Sequence, residues 1–306
     1  MGLFDRFYYG KAGKADYTPD DMPANRWQLF AQVFKTRFWS LARVNLLQLL
    51  FWLPFLGVTL LTLLSANAQA AQSLQDGAQS LPANWAGGLL FTYSVLLIPC
   101  ILITGPSSAA AAYVTRNWSR DQHAFIWSDY WDAFKANWKQ GLAVSAITSV
   151  LPAVLVVGYI FYGELARQYA VAVVAQALLG MAVGVWALAL TFFYPLMVTY
   201  TLKLGTLLRN GLLLAVGRLP HAVGIRLLTL LPLFIAVAAL LMGSLYGIVF
   251  AVLYYLLLGF ALHRLVYASF ANSVFDKLIN PRIEGAPTNL GLRAEDDEDD
   301  GEDEGP

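Results

Sequence analysis

The chain is poor in the residues that enzymes work with. Its 306 residues include one cysteine and three histidines, and only 13% of them carry a charge. With Cys100 alone, no intrachain disulfide can form and no redox compartment can be read. Between Pro99 and Ile101, Cys100 reads as a small hydrophobe. His123, His221 and His263 are scattered, without the spacing of a metal-binding cluster. HExxH, GxSxG and the phosphate-binding GxxxxGK run are all absent. No catalytic, cofactor or metal residue is assigned, and neither enzymatic activity nor a nucleic-acid partner is expected. The first 26 residues lack an apolar run, so the first span is expected to direct its own insertion in place of a cleavable signal peptide. Arg6 stands where a myristoylation motif needs Ser or Thr.

What the chain does have is apolar length. Hydrophobic residues make up 58% of it, against roughly 45–50% in soluble domains. They come in blocks of the length that crosses ~30 Å of hydrocarbon as a helix. Val44–Leu64 is uncharged and is followed by small and polar residues from Ser65 to Asn84. Ala86–Thr104, Leu142–Tyr162 and Ala170–Leu196 follow. Leu227–Leu262 is too long for one helix and fits two joined at Gly243-Ser244.

The formal net charge of zero hides an asymmetry. Residues 1–293 hold 20 Lys/Arg against 11 Asp/Glu, a net of +9, because nine acidic residues crowd into Glu295–Glu304. With six spans, 19 of the 20 basic residues share one side, and only Arg167 falls opposite. That side is expected to be cytoplasmic. Arg226 and Arg264 count with the cytoplasmic segments, which leaves the uncharged span cores free of Asp, Glu, Lys and Arg. Such an absence argues against a proton-coupled carrier.

Three cytoplasmic segments are amphipathic. Trp27, Phe30, Phe34, Phe38 and Leu41 form a stripe before span one. Trp127, Trp131, Phe134 and Trp138 form another before span three, with Ser128 or Asp129 as the expected N-cap. The third, Thr201–Gly224, is interrupted by Gly205, Gly211 and Gly217. Each is expected to lie in the headgroup region. Each feeds a span with a Leu-Pro step, Leu53-Pro54, Leu151-Pro152 or Leu231-Pro232, which suggests a threefold unit of surface helix plus hairpin.

The fold class expected is all-α, a polytopic membrane helical bundle of six transmembrane helices with cytoplasmic interfacial amphipathic helices. Residues 1–26 form a cytoplasmic segment and 27–280 the membrane domain. Its spans lie near 44–64, 86–104, 142–162, 170–196, 224–243 and 246–269. Residues 281–306 are expected to be a disordered acidic cytoplasmic tail.

The run TGPSSAAAAYVTRNWSRDQHAFIWSDYWDAFKANWKQG, Thr104 to Gly141, resembles the signature region of the YesL family. These are bacterial integral membrane proteins built around a domain of unknown function. MGLFDRFYYG and LRNGLLLAVGRLP (Leu208 to Pro220) resemble the family as well, so the similarity reaches about Lys277. The stretch Ser65–Ile103 is longer than the compact family pattern, and the acidic tail is foreign to it. The resemblance implies a bacterial plasma-membrane location. Members tend to be encoded beside sugar transport and degradation systems, which implies a loose link to carbohydrate uptake. It brings no catalytic residues.

Candidate functional residues are few. Gln48 and Gln176 are the main polar groups inside spans, suited to interhelical hydrogen bonds or, if they face each other, to a polar path for a sugar. Gly180 and Gly184 form a GxxxG step one turn beyond Gln176, expected to pack on a helix of the bundle or of a partner. Gly105-Pro106-Ser107-Ser108 reads as a helix break and restart. Arg116, Asn117, Arg120 and Asp121, together with Trp131, Lys135, Trp138 and Lys139, form the candidate surface for a protein partner or a phosphorylated ligand. The alternative for that cluster is a solvated, lipid-facing edge. The function expected is that of a non-catalytic accessory or regulatory protein of a membrane transport complex, with a small-solute transporter or channel as the alternative.

Overall fold

The structure is a computed structural model that describes residues 22–76, 81–82 and 84–293. Among these residues every regular element is helical. α1 (Arg26–Thr36) gives way at Arg37 to α2 (Phe38–Gln75), and α3 (Trp85–Leu102) leads into α4 (Thr104–Trp118). α5 (Ile126–Ala166) and α6 (Ala172–Thr199) form a hairpin, followed by α7 (Leu204–Gly217) and α8 (Leu219–Leu241). α9 (Tyr246–Tyr254) continues through a π turn at Tyr255–Gly259 into α10 (Phe260–Leu278).

Six helical rods are long and apolar enough to cross a membrane: α2, α3, α5, α6, α8 and the α9–α10 rod. The chain is a multi-pass helical membrane protein. The long final block divides in two, at a turn built by Gly243. Its φ of +75° ends α8 in the left-handed region, and the Ser244 N–H closes back on the Ala239 carbonyl at 2.9 Å. The ends of the described chain lie together, since the Arg293 N–H donates to the Pro23 carbonyl at 3.0 Å. An even number of crossings puts both ends on the same side, as this bond needs. The end where they meet is called basal below.

Two layers follow from the helix lengths. α2 and α5 have 38 and 41 residues, or about 57 and 62 Å, close to twice the hydrocarbon thickness. Their outer halves, with α3, α6, α8 and α9, expose large apolar side chains such as Leu61, Phe161, Val174, Phe234 and Val252, as lipid requires. The basal halves pack a core around α4, in which thirteen of fifteen residues are buried. Ala109 and Ala112 face a cluster built on Phe192, Phe193 and Phe275, while Ala110, Ala111, Val114 and Trp118 face one built on Leu29, Leu41 and Tyr130. The small side chains of α4 let neighbours come close. At Gly105, backbone meets the backbone of Gly141 on α5, and an added Cβ would lie 2.1 Å from the Gly141 oxygen.

This arrangement corrects several expectations. The second amphipathic segment is the first three turns of α5, continuous with a span. Trp131 and Phe134 pack on the basal core, and Trp127 and Trp138 stay exposed. The helix starts before Ser128, and Asp129 reaches back to accept the Phe125 N–H at 2.9 Å. α1 is a separate helix, capped by Asn25 at the Trp27 and Gln28 N–H groups. It turns Leu29 and Val33 into the protein, with Phe30 and Phe34 beside them. Trp27 is 69% exposed, so only part of the stripe is free for headgroups. In α7, Gly211 admits the Phe193 ring. Residues Ser65–Gln75, read with the connection after span one, extend α2.

The tail boundary also moves. Residues 281–293 turn at Gly285 and Gly291, both at positive φ, and pack Leu292 against the basal core. The acidic run from Ala294 onward lies outside the described residues. Each Leu-Pro step sits inside the first helix of a hairpin, in α2, α5 and α8, while the three lead-in elements differ in how they join it.

Candidate functional site

A cleft of about 790 Å³ opens in the basal layer, between α5 and the end of α6, with Tyr113 of α4 contributing to its lining. Its size falls in the range of small-molecule sites. One wall is a single face of α5: Asp129, Asp132, Ala133, Ala136, Asn137 and Gln140 recur at helical spacing. The other is Met197–Leu202, where α6 stops after Thr199 and the chain runs extended to α7.

The cleft is held open by specific bonds. Gln140 Nε2 donates to the Leu202 carbonyl at 2.7 Å and ties the two walls together at one end. Arg116 Nη1 donates to the Val198 carbonyl at 2.7 Å, and its guanidinium lies 5.0 Å from the centre of the Tyr113 ring. Burial, with the charge of Arg120 nearby, lowers the Arg116 pKa to about 10. The Thr199 hydroxyl lines the cleft and is enclosed without a hydrogen-bond partner. Trp138 and Lys139 stand at the margin, the ammonium 5.6 Å from the indole centre. Aromatic faces, two carboxylates, amides and an unpaired hydroxyl therefore line one opening. Such a lining can take a polar ligand or a partner's side chains.

The proposed surface residues separate into two groups. Trp138 and Lys139 border the cleft, and Lys135 is exposed on the same helix. Trp131 belongs to the core. Arg116 supports the α6 wall, while Arg120 turns away and donates to Asn272 Oδ1 at 3.3 Å. Asn117 is buried as an acceptor for Arg116. Asp121 adopts a φ of +54°, in the turn against which Gly291 packs. That side of the layer is a structural network. Asp276 pairs with Arg26 and accepts from Asn280, which in turn accepts from Tyr200 Oη at 2.6 Å.

Residues 86–159 match a family described as "Protein of unknown function, DUF624". The matched stretch covers α3, α4 and most of α5, and so one wall of the cleft and Tyr113. The family model describes a domain found in YesL-like proteins, and the resemblance read at Thr104–Gly141 lies inside the matched stretch. No curated protein and no solved structure matches the chain.

The remaining candidates are not brought together. Gln48 is fully buried on α2, with both side-chain polar atoms unpaired. Gln176 bonds the Tyr159 carbonyl at 3.0 Å across the α5–α6 hairpin, so the two do not face each other across a path. Among the described residues, nothing lies within 4 Å of a Cβ added at Gly180 or Gly184. Sequence reasoning missed Thr199–Leu202, which carry no motif and gain meaning only where α6 ends beside α5. Asn137 and Gln140 were detectable, since they share the helical register of Asp129 and Ala133.

Proposed function

We propose that this is a non-catalytic accessory protein of the bacterial plasma membrane. In this reading the basal layer faces the cytoplasm and its cleft receives a component of a membrane transport complex serving carbohydrate uptake. The cleft is the observation that carries the reading. It gathers polar and aromatic groups of α4, α5 and the end of α6 in one opening, and the stretch that matches the family model supplies one wall and Tyr113. The basic excess on the basal side supports the orientation. A solute carrier is the second reading, and its natural polar pair, Gln48 and Gln176, stands apart.

The test is photocrosslinking in native bacterial membranes from a probe at Ala136, inside the cleft, and from one at Leu61 on the lipid face. Recovery of a sugar-importer subunit from Ala136 alone supports the proposal. Recovery of the chain by itself, together with sugar flux through purified protein in liposomes, moves the function to transport.

A further inference from the structure

Two arginines that the charge census counts with the cytoplasmic segments lie inside the spanning helices, as the spans at 224–243 and 246–269 imply. Arg226 is in α8 and Arg264 in α10. They lie about 22 and 27 Å along their rods from the outer ends of α8 and α9, at the rise of an α-helix. Against a hydrocarbon core of about 30 Å, this places both at its basal margin, where phospholipid headgroups begin.

Arg264 donates to Ser108 Oγ at 2.7 Å and stacks 4.6 Å from the centre of the Tyr194 ring. Arg226 donates to Tyr267 Oη at 2.8 Å and to the Ala187 carbonyl, and sits 5.2 Å from the Tyr267 ring centre. Tyr267, which Arg226 bonds, lies one turn beyond Arg264 on α10, and its ring centre is 6.4 Å from that of His263. All of the bonded partners are neutral. The ion pairs among the described residues are Arg26–Asp276 and Arg167–Glu164, so neither of these two cations has a carboxylate against it.

Removing a guanidinium from water without a counter-charge is costly, and ionisable groups at membrane depth usually serve a ligand. Donors remain for one. Arg226 Nε is enclosed and has no partner. Arg264 commits one of its five N–H groups, and none of its other nitrogens is among the enclosed, unpaired atoms.

We propose that Arg226 and Arg264 form a binding site for a phosphate-type oxyanion, with Ser108 and Tyr194 orienting Arg264. A guanidinium fork matches two phosphate oxygens, and a second cation, bonded to Tyr267 one turn away, suits a group carrying delocalised negative charge. A phospholipid headgroup and a free phosphate share that chemistry. The site is separate from the cleft and does not rest on its role.

Thermal unfolding of the full chain in neutral detergent tests this, with phosphatidylglycerol, phosphatidylcholine or inorganic phosphate added. A midpoint that rises with phosphatidylglycerol alone supports the site and identifies a headgroup. A rise with inorganic phosphate as well supports it and identifies the free anion. Arg264→Gln and Arg226→Gln should each weaken the response at least about tenfold in anion concentration. Arg167→Gln, exposed at the opposite end of the bundle, should leave it unchanged. If Arg264→Gln does not fold, Arg264→Lys keeps the charge without the fork and should show a comparable weakening. No stabilisation of the wild type by either anion, or an unchanged response in the arginine variants, overturns the proposal.

Discussion

Replacing Gly105 with alanine tests the packing of α4 on α5 directly. The new Cβ would sit 2.1 Å from the Gly141 carbonyl oxygen, 2.4 Å from Ser145 Oγ and 2.6 Å from the Gly141 carbonyl carbon. Real Cβ contacts essentially never fall below 3.0 Å. Two of the three atoms are backbone, so the helices must part by about 1 Å in a close-packed layer. Overpacking of this kind costs about 1–3 kcal/mol. Parting also strains the bond from Ser145 Oγ to the Leu102 carbonyl, 2.6 Å long, worth about 1 kcal/mol more. The expected loss is therefore about 2–4 kcal/mol. Two other glycines calibrate it. Gly211→Ala meets only the Phe193 ring, which can turn aside, and should cost about 1–2 kcal/mol. Gly180→Ala meets nothing within 4 Å and should be neutral or slightly stabilising through helix propensity. Reversible unfolding in mixed micelles, followed by tryptophan fluorescence and circular dichroism, ranks the three. Finding Gly105→Ala within about 1 kcal/mol of Gly180→Ala would refute the close approach.

Asn45 donates to the Tyr255 and Leu256 carbonyls of the π turn and accepts the Ala261 N–H, so Asn45→Ala strands three backbone groups. A loss of about 2–4 kcal/mol and faster hydrogen exchange at 255–261 are expected, and unchanged exchange would remove Asn45 from that role. Asp276→Asn uncouples Arg26, which also holds the Ser119 and Leu290 carbonyls, and should raise protease cleavage within 279–293. Burial pushes the Tyr200 phenol up to about 12. Its unfolded value is near 10, so the unfolded chain loses the proton first and stability falls as pH rises between about 10 and 12. Tyr200→Phe should flatten that limb of a melting-temperature profile, and an unchanged slope would assign it to other groups. Trp131→Ser should destabilise the fold by about 3 kcal/mol, while the same change at the exposed Trp138 should leave the melting temperature unaltered.

Hydropathy and charge carried the membrane architecture because both are one-dimensional. A run such as Val44–Leu64 announces a span wherever its neighbours lie, and the six rods follow. The basal layer was less legible because its packing is decided between segments. Trp131 and Trp138 belong to one aromatic stripe, yet α5 turns the first into the core and the second toward the cleft. Arg116 and Arg120 are one turn apart, yet one supports the α6 wall and the other joins α10. Arg226 and Arg264 flank uncharged runs, so a charge census counts them with the cytoplasmic segments, although spans at 224–243 and 246–269 already enclose them. For Gly180 and Gly184, a small-residue step does not specify which helix fills it.

The unbroken course of α5 has a mechanical consequence. Its first turns border the cleft and its last turns reach the opposite side of the bilayer, with a single proline, Pro152, between them. The rod is a lever whose fulcrum is the contact of Gly105 with Gly141. Any tilt of one arm about that contact has to be taken up by the other, where the rod packs against α3 and α6.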